Sequence, residues 1–122
     1  YKITSLYKFP HGHAVAVCLP VIWAYMLKHT DRCVDRRGRA YLAEIFDCIS
    51  KAMGCISPEH AIEKYNKMME AMDLSNPVSG GNIEEELRLL STSVNPVRLK
   101  NNPVAIDETI AFSIYSMILT KA

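Results

Sequence analysis

The segment Pro10-His11-Gly12-His13-Ala14 runs directly into an uncharged stretch, Val15 to Leu27, that constrains the chain more than any other feature. A helix that is apolar on every side has to be buried on every side, so the rest of the chain must pack around it. The stretch is short for a membrane span and contains Pro20. That proline has no N–H, so the Ala16 carbonyl loses its helical partner and a bend is expected there. Pro10 reads as a first-turn residue, where a missing N–H costs nothing. His11 then stands at the mouth of the buried helix, well placed to present one imidazole to a metal in a dry cleft. His13 is rotated about 200° from it on a helix and cannot easily share the same metal. His29 and His60 have no histidine three or four residues away.

Helical spacing recurs along the rest of the chain, and no segment shows strand alternation. Tyr1 to Tyr7 reads as the tail of a helix. Tyr41, Leu42, Ile45, Phe46, Ile49, Ala52 and Met53 mark the inner face of another, ended by Gly54 in a left-handed conformation. Ser57-Pro58-Glu59 is a helix start, and Ala61, Ile62, Tyr65, Met68, Met69 and Met72 form the inner face that follows. Asn76 to Gly81 is a loop. Ile83, Leu87 and Leu90 mark a short helix with Glu84, Glu85 and Glu86 near its amino end, read as a solvated face because consecutive positions point in different directions. Val94 to Pro103 reads as an extended loop. Asp107 caps a last helix with Ile110, Ile114, Met117 and Ile118 inward. The expectation is one all-α domain over residues 1–122, a bundle of five or six helices.

Composition narrows the function classes. The chain is 49% hydrophobic and 22% charged, which suits an ordered globular domain. A net charge of +1 offers no footprint for nucleic acid or a membrane surface. Lys28, Arg32, Arg36, Arg37 and Arg39 are offset by Asp31 and Asp35 and read as a solvated face. Cys18, Cys33, Cys48 and Cys55 contain no Cys-x-x-Cys pair, with Cys18 and Cys48 expected on buried faces, which favours a reducing, cytoplasmic setting.

The stretch Tyr1–Leu27, with its Pro-His-Gly turn, resembles the start of the second half of iron-dependent (group III) alcohol dehydrogenases. Val94–Ala122 resembles the end of the same family, through Asn95-Pro96-Val97-Arg98 before the last helix. The resemblance implies the helical carboxyl-terminal domain of a dehydroquinate synthase-like fold, with His11 as the last of four metal ligands. The implied Asp, His and His ligands lie upstream, and Tyr1 stands where many members carry a further histidine, which makes it a pocket candidate. The implied cofactors are Fe²⁺ or Zn²⁺ and NAD(P)H, the latter held by an amino-terminal nucleotide-binding domain absent from residues 1–122. The implied reaction interconverts a small aldehyde and an alcohol, with the metal polarising the carbonyl. The extended Val94–Pro103 match and His11-Gly12-His13-Ala14 resemble the phosphonoacetaldehyde reductase branch. That branch makes Arg98, Lys100 and Asn95 candidates for binding an anionic substrate. In the structural alternative, Asn95 and Asn102 cap turns and Arg98 ties the last helix to the bundle.

Two other readings stay open: a glycerol or 1,2-propanediol dehydrogenase of the same superfamily, and a non-catalytic helical interaction module. The chain starts without methionine inside what reads as a helix, so a piece of a longer protein is expected. Alone it should be inactive and metal-free, with exposed apolar surface that favours homodimer formation.

Overall fold

A computed structural model describes residues 2–121, and among them the chain is all-helical. The helices are α1 (Lys2–Tyr7), α2 (His11–Lys28), α3 (Arg39–Ala52), α4 (Pro58–Ala71), α5 (Ile83–Thr92), α6 (Pro96–Leu99) and α7 (Glu108–Ile118). A 3-10 turn at Thr30–Arg32 follows α2. Side chains fix most of the starts. Ser57 accepts the His60 N–H at 3.1 Å, Asn82 the Glu85 N–H at 3.2 Å, and Asp107 the Ile110 N–H at 2.8 Å. Gly54 ends α3 at φ 72°, a conformation that strains any residue with a Cβ.

The long helix α2 is the spine. It packs against α1, α4 and α7, while α7 also packs on α5 and α3 on α4. Two buried clusters meet along it. One gathers Ala14 and Val17 with Ile3, Met69, Leu87, Leu90, Ile114 and Ile118; the other gathers Trp23 with Leu42, Phe46, Cys55, Ala61 and Val104. Pro20 lies between them and is itself buried. The carbonyl that Pro20 orphans, that of Ala16, accepts the Tyr65 hydroxyl from α4 at 3.0 Å. Tyr65 packs at the margin of both clusters, so one hydroxyl repairs the broken ladder and pins α4 across their junction. Burial raises the pKa of that phenol, which keeps it a donor through the neutral range.

Two short backbone pairings close the ends. Val34 N–H donates to Pro103 and Ala105 N–H to Arg32, tying the segment after α2 to the approach to α7. Ser79 N–H donates to Thr120 and Thr120 N–H to Pro77, tying the end of α7 to the loop before α5.

Several expectations need correction. Among the described residues seven helices form rather than five or six, because Val94–Pro103 is not extended throughout. Asn95 accepts the Val97 and Arg98 N–H groups and winds one helical turn, α6. The helix α2 starts at His11, with Pro10 as its cap in an extended conformation. It is not buried all round: Val15 is 50% and Leu19 42% exposed. Ile49, Met68, Met72 and Met117 also face outward, since α3, α4 and α7 are each covered on one side only. Cys48 is exposed and Cys18 half-buried, whereas the buried thiol is Cys55. Helical spacing had marked apolar positions correctly but assigned each helix too wide a covered face.

The Pro20–Tyr65 arrangement has a measurable coupling. Tyr65→Phe should lower stability by about 1–2 kcal/mol, the cost of leaving the Ala16 carbonyl without a donor. In a Pro20→Ala background a backbone N–H returns to that carbonyl, and the same substitution should cost markedly less. Denaturant unfolding of the four proteins of this cycle measures the coupling, and additive costs would contradict the arrangement.

Candidate functional site

The turn into α2 is built to hold a side chain outward. Lys8 leaves α1 at φ 58°, a left-handed step, and Pro10 then fixes the backbone for entry into α2. Ala14 N–H donates to the Pro10 carbonyl at 3.0 Å, closing the first turn. His11 occupies the first helical position and is exposed. A Cβ at Gly12 would meet nothing within 4 Å, so the backbone beside His11 is open to approach.

The other three histidines make contacts that can be named. His13 stacks on Phe9, with ring centroids 4.0 Å apart and planes 9° from parallel. Its Nε2 lies 2.8 Å from the Ser75 carbonyl, which can only accept, so that nitrogen carries the proton. His29 packs against Tyr25 at 4.3 Å, and His60 accepts the Ile56 N–H at 3.3 Å on Nδ1. Among the described residues, no group of three or more His, Cys, Asp or Glu side chains could hold a metal. His11 is therefore a single candidate donor and does not make a metal site by itself. Tyr1, the other candidate near this end of the chain, lies outside the described residues.

Asn95, Arg98 and Lys100 sit on or beside the α6 turn, but they do not converge. Asn95 spends its side-chain oxygen as the α6 cap. Arg98 lines a cleft of ≈ 670 Å³ between α1, α5, α6 and α7, and Asn95 borders it. Lys100 lines a different cleft, of ≈ 690 Å³, with Val34, Ala105 and Asp107. The helical turn separates the two cations that an extended loop would have aligned. Lys2 joins Arg98 in the first cleft. Sequence reasoning missed it, because nothing local to Lys2 signals a neighbour from the other end of the chain. Asn102 donates its side-chain N–H to the Val104 carbonyl at 2.6 Å.

Glu86 corrects the reading of its triplet as a solvated face. It turns back from α5 and accepts the Tyr7 hydroxyl at 3.0 Å, the Gly80 N–H at 3.0 Å, and the Ser79 hydroxyl. These donors hold its carboxyl below the usual range, the Ser79 hydroxyl contributing most and the Gly80 N–H next. The same contact helps raise the Tyr7 phenol, after burial. Glu84 stays on the surface, paired with Arg88 at 2.7 Å. Asp35 is likewise held low by Arg37, whose guanidinium also lies over the Tyr41 ring.

A further cleft, of ≈ 790 Å³, lies between α2, α4 and α7, floored by Val17, Pro20 and Met69 and edged by Lys28 and Glu70. No protein-family model matches the chain, and neither a curated protein nor a solved structure matches it.

The Glu86 knot gives a pH signature. A carboxyl held below its unfolded value of about 4.3 stabilises the fold fully above that pH, and loses the effect as pH falls through the folded value. Denaturant unfolding from pH 7 to pH 3 should show wild type more stable than Glu86→Gln at neutral pH, with the gap closing toward acid. A gap independent of pH would contradict the assignment.

Proposed function

We propose that the chain is the helical domain of an iron-type, NAD(P)-dependent alcohol dehydrogenase that interconverts a small aldehyde and its alcohol, with His11 as one ligand of the divalent metal. The observation that carries the reading is the exposed imidazole at the first position of the long apolar helix, behind a proline and beside an open glycine. The family resemblance, which places the last metal-binding histidine in the Pro-His-Gly turn, is what assigns that role to His11. The amino end of a helix disfavours a bare dication, so the reading requires an anionic ligand from outside residues 1–122. An Asp–His–His set, as the resemblance implies, meets that requirement. Fe²⁺ or Zn²⁺ bound there supplies Lewis-acid polarisation of the carbonyl. NAD(P)H and its nucleotide-binding domain belong to the rest of such an enzyme.

The four unpaired thiols suit a reducing, cytoplasmic compartment. No helix among the described residues is long and apolar enough to cross a membrane. A phosphonoacetaldehyde-type substrate draws its support from the cationic groups around α6. The outward apolar face of α2, with Val15 and Leu19, favours a second reading, a helical interaction module that associates with a further helix or a second copy.

Turnover separates these readings. In the parent enzyme loaded with Fe²⁺ or Zn²⁺, His11→Ala should lower aldehyde reduction roughly a hundredfold or more and reduce the bound metal, because the ion supplies several kcal/mol of barrier lowering. Steady-state nicotinamide oxidation and metal analysis measure both quantities. Full activity and full metal content in His11→Ala would overturn the proposal.

A further inference from the structure

The cleft of ≈ 790 Å³ between α2, α4 and α7 is a groove with apolar surfaces and one charge of each sign. Val17, Pro20 and Val21 line it from α2, Ile62 and Met69 from α4, and Met117 from α7. Val17 shares a buried cluster with Met69, and the Tyr65 hydroxyl reaches the Ala16 carbonyl. Farther along, Leu27 and Lys28 border one small pocket with Glu59 and Ile62. The two helices therefore run antiparallel, which sets Glu70 at the Val17 end of the groove and Lys28 at the Ile62 end. Ile62 and Glu70 stand eight residues apart on α4, so the two charges lie about 12 Å apart along the groove at the rise of an α-helix. The ion pairs among the described residues, Arg37–Asp35, Lys67–Glu63 and Arg88–Glu84, use neither Lys28 nor Glu70. Asn66 lies between the two ends, on the α4 side.

We propose that this groove binds a short extended peptide with free termini and apolar side chains, its ammonium at Glu70 and its carboxylate at Lys28. An extended chain advances about 3.3–3.6 Å per residue, so roughly three or four residues cover the interval between the two charges. The volume lies in the range of small-molecule sites. A single amino acid carries both charges on one carbon and reaches only one end. An incoming helix of the same span would have only about two turns, too short to hold its shape alone. Asn66 offers an amide donor and an acceptor to a peptide group passing midway. The walls adapt to different apolar side chains, because Met69 and Met117 are unbranched and Met117 is 57% exposed. The site needs nothing from His11 and stands independently of the metal proposal.

The test titrates the full chain, at neutral pH and constant ionic strength, with trileucine, N-acetyl-trileucine, trileucine amide and leucine. Heteronuclear NMR follows the backbone amides of Val21, Asn66 and Ser113 and the side-chain amide of Asn66. Trileucine should shift these signals saturably, and leucine should bind at least about tenfold more weakly, having lost most of the apolar contact. Acetylating the amino end or amidating the carboxyl end should each weaken binding about threefold, the size of an exposed ion pair. The two ends are then assigned by paired substitutions. Glu70→Gln should abolish the effect of acetylation and keep that of amidation, and Lys28→Gln should do the reverse. Both side chains are exposed, and unchanged amide signals away from the groove report that the variants remain folded. Capped and free peptides binding equally, leucine matching trileucine, or shifts confined to other surfaces would each overturn the site. So would shifts of the groove amides with protein concentration alone, which would give the groove to a second copy of the chain.

Discussion

The hydroxyl of Tyr65 on the Ala16 carbonyl is the contact on which the rest of the architecture depends. A proline in the middle of the longest helix removes one rung of its ladder and leaves a polar oxygen facing the core. Burying that helix is possible only because a donor arrives from α4. The donor comes from a residue that touches both apolar clusters, so the local repair also sets how the two halves of the bundle meet. The proline thereby fixes a tertiary contact, and α2 can run from one cluster to the other as a single spine.

Polar contacts hold the periphery in the same manner. Glu86 collects donors from α1 and from the loop before α5, and His13 reaches the carbonyl of Ser75 beyond α4. Both anchor the region from which α2 departs. The step from α1 through Lys8 to Pro10 is thus held on each side, and His11 is presented at a defined position with its backbone open.

Much of this was legible in the sequence because it depends on neighbours in the chain. The caps at Ser57 and Asp107, the left-handed Gly54 and the orphaned Ala16 carbonyl all follow from residues within a turn of one another. What could not be read depends on distant pairings. No local pattern announces that Tyr65 answers Pro20, that Glu86 answers Tyr7, or that Lys2 shares a cleft with Arg98. Apolar positions such as Val15, Met68 and Met117 were expected inward because spacing marks a stripe but not how much of it a neighbour covers. The 94–103 segment was misread for a local reason: two prolines suggested extended chain, whereas Asn95 caps a helical turn that accepts Pro96 as its first residue.

The functional account rests on His11 as a metal ligand, and a structure of the parent protein grown with Zn²⁺ tests it most directly. Anomalous scattering locates the ion without reference to activity. The account predicts an ion about 2.1 Å from an imidazole nitrogen of His11, with an aspartate and two histidines from upstream segments completing the shell. An ion bound elsewhere, with the His11 ring turned to solvent, would contradict it.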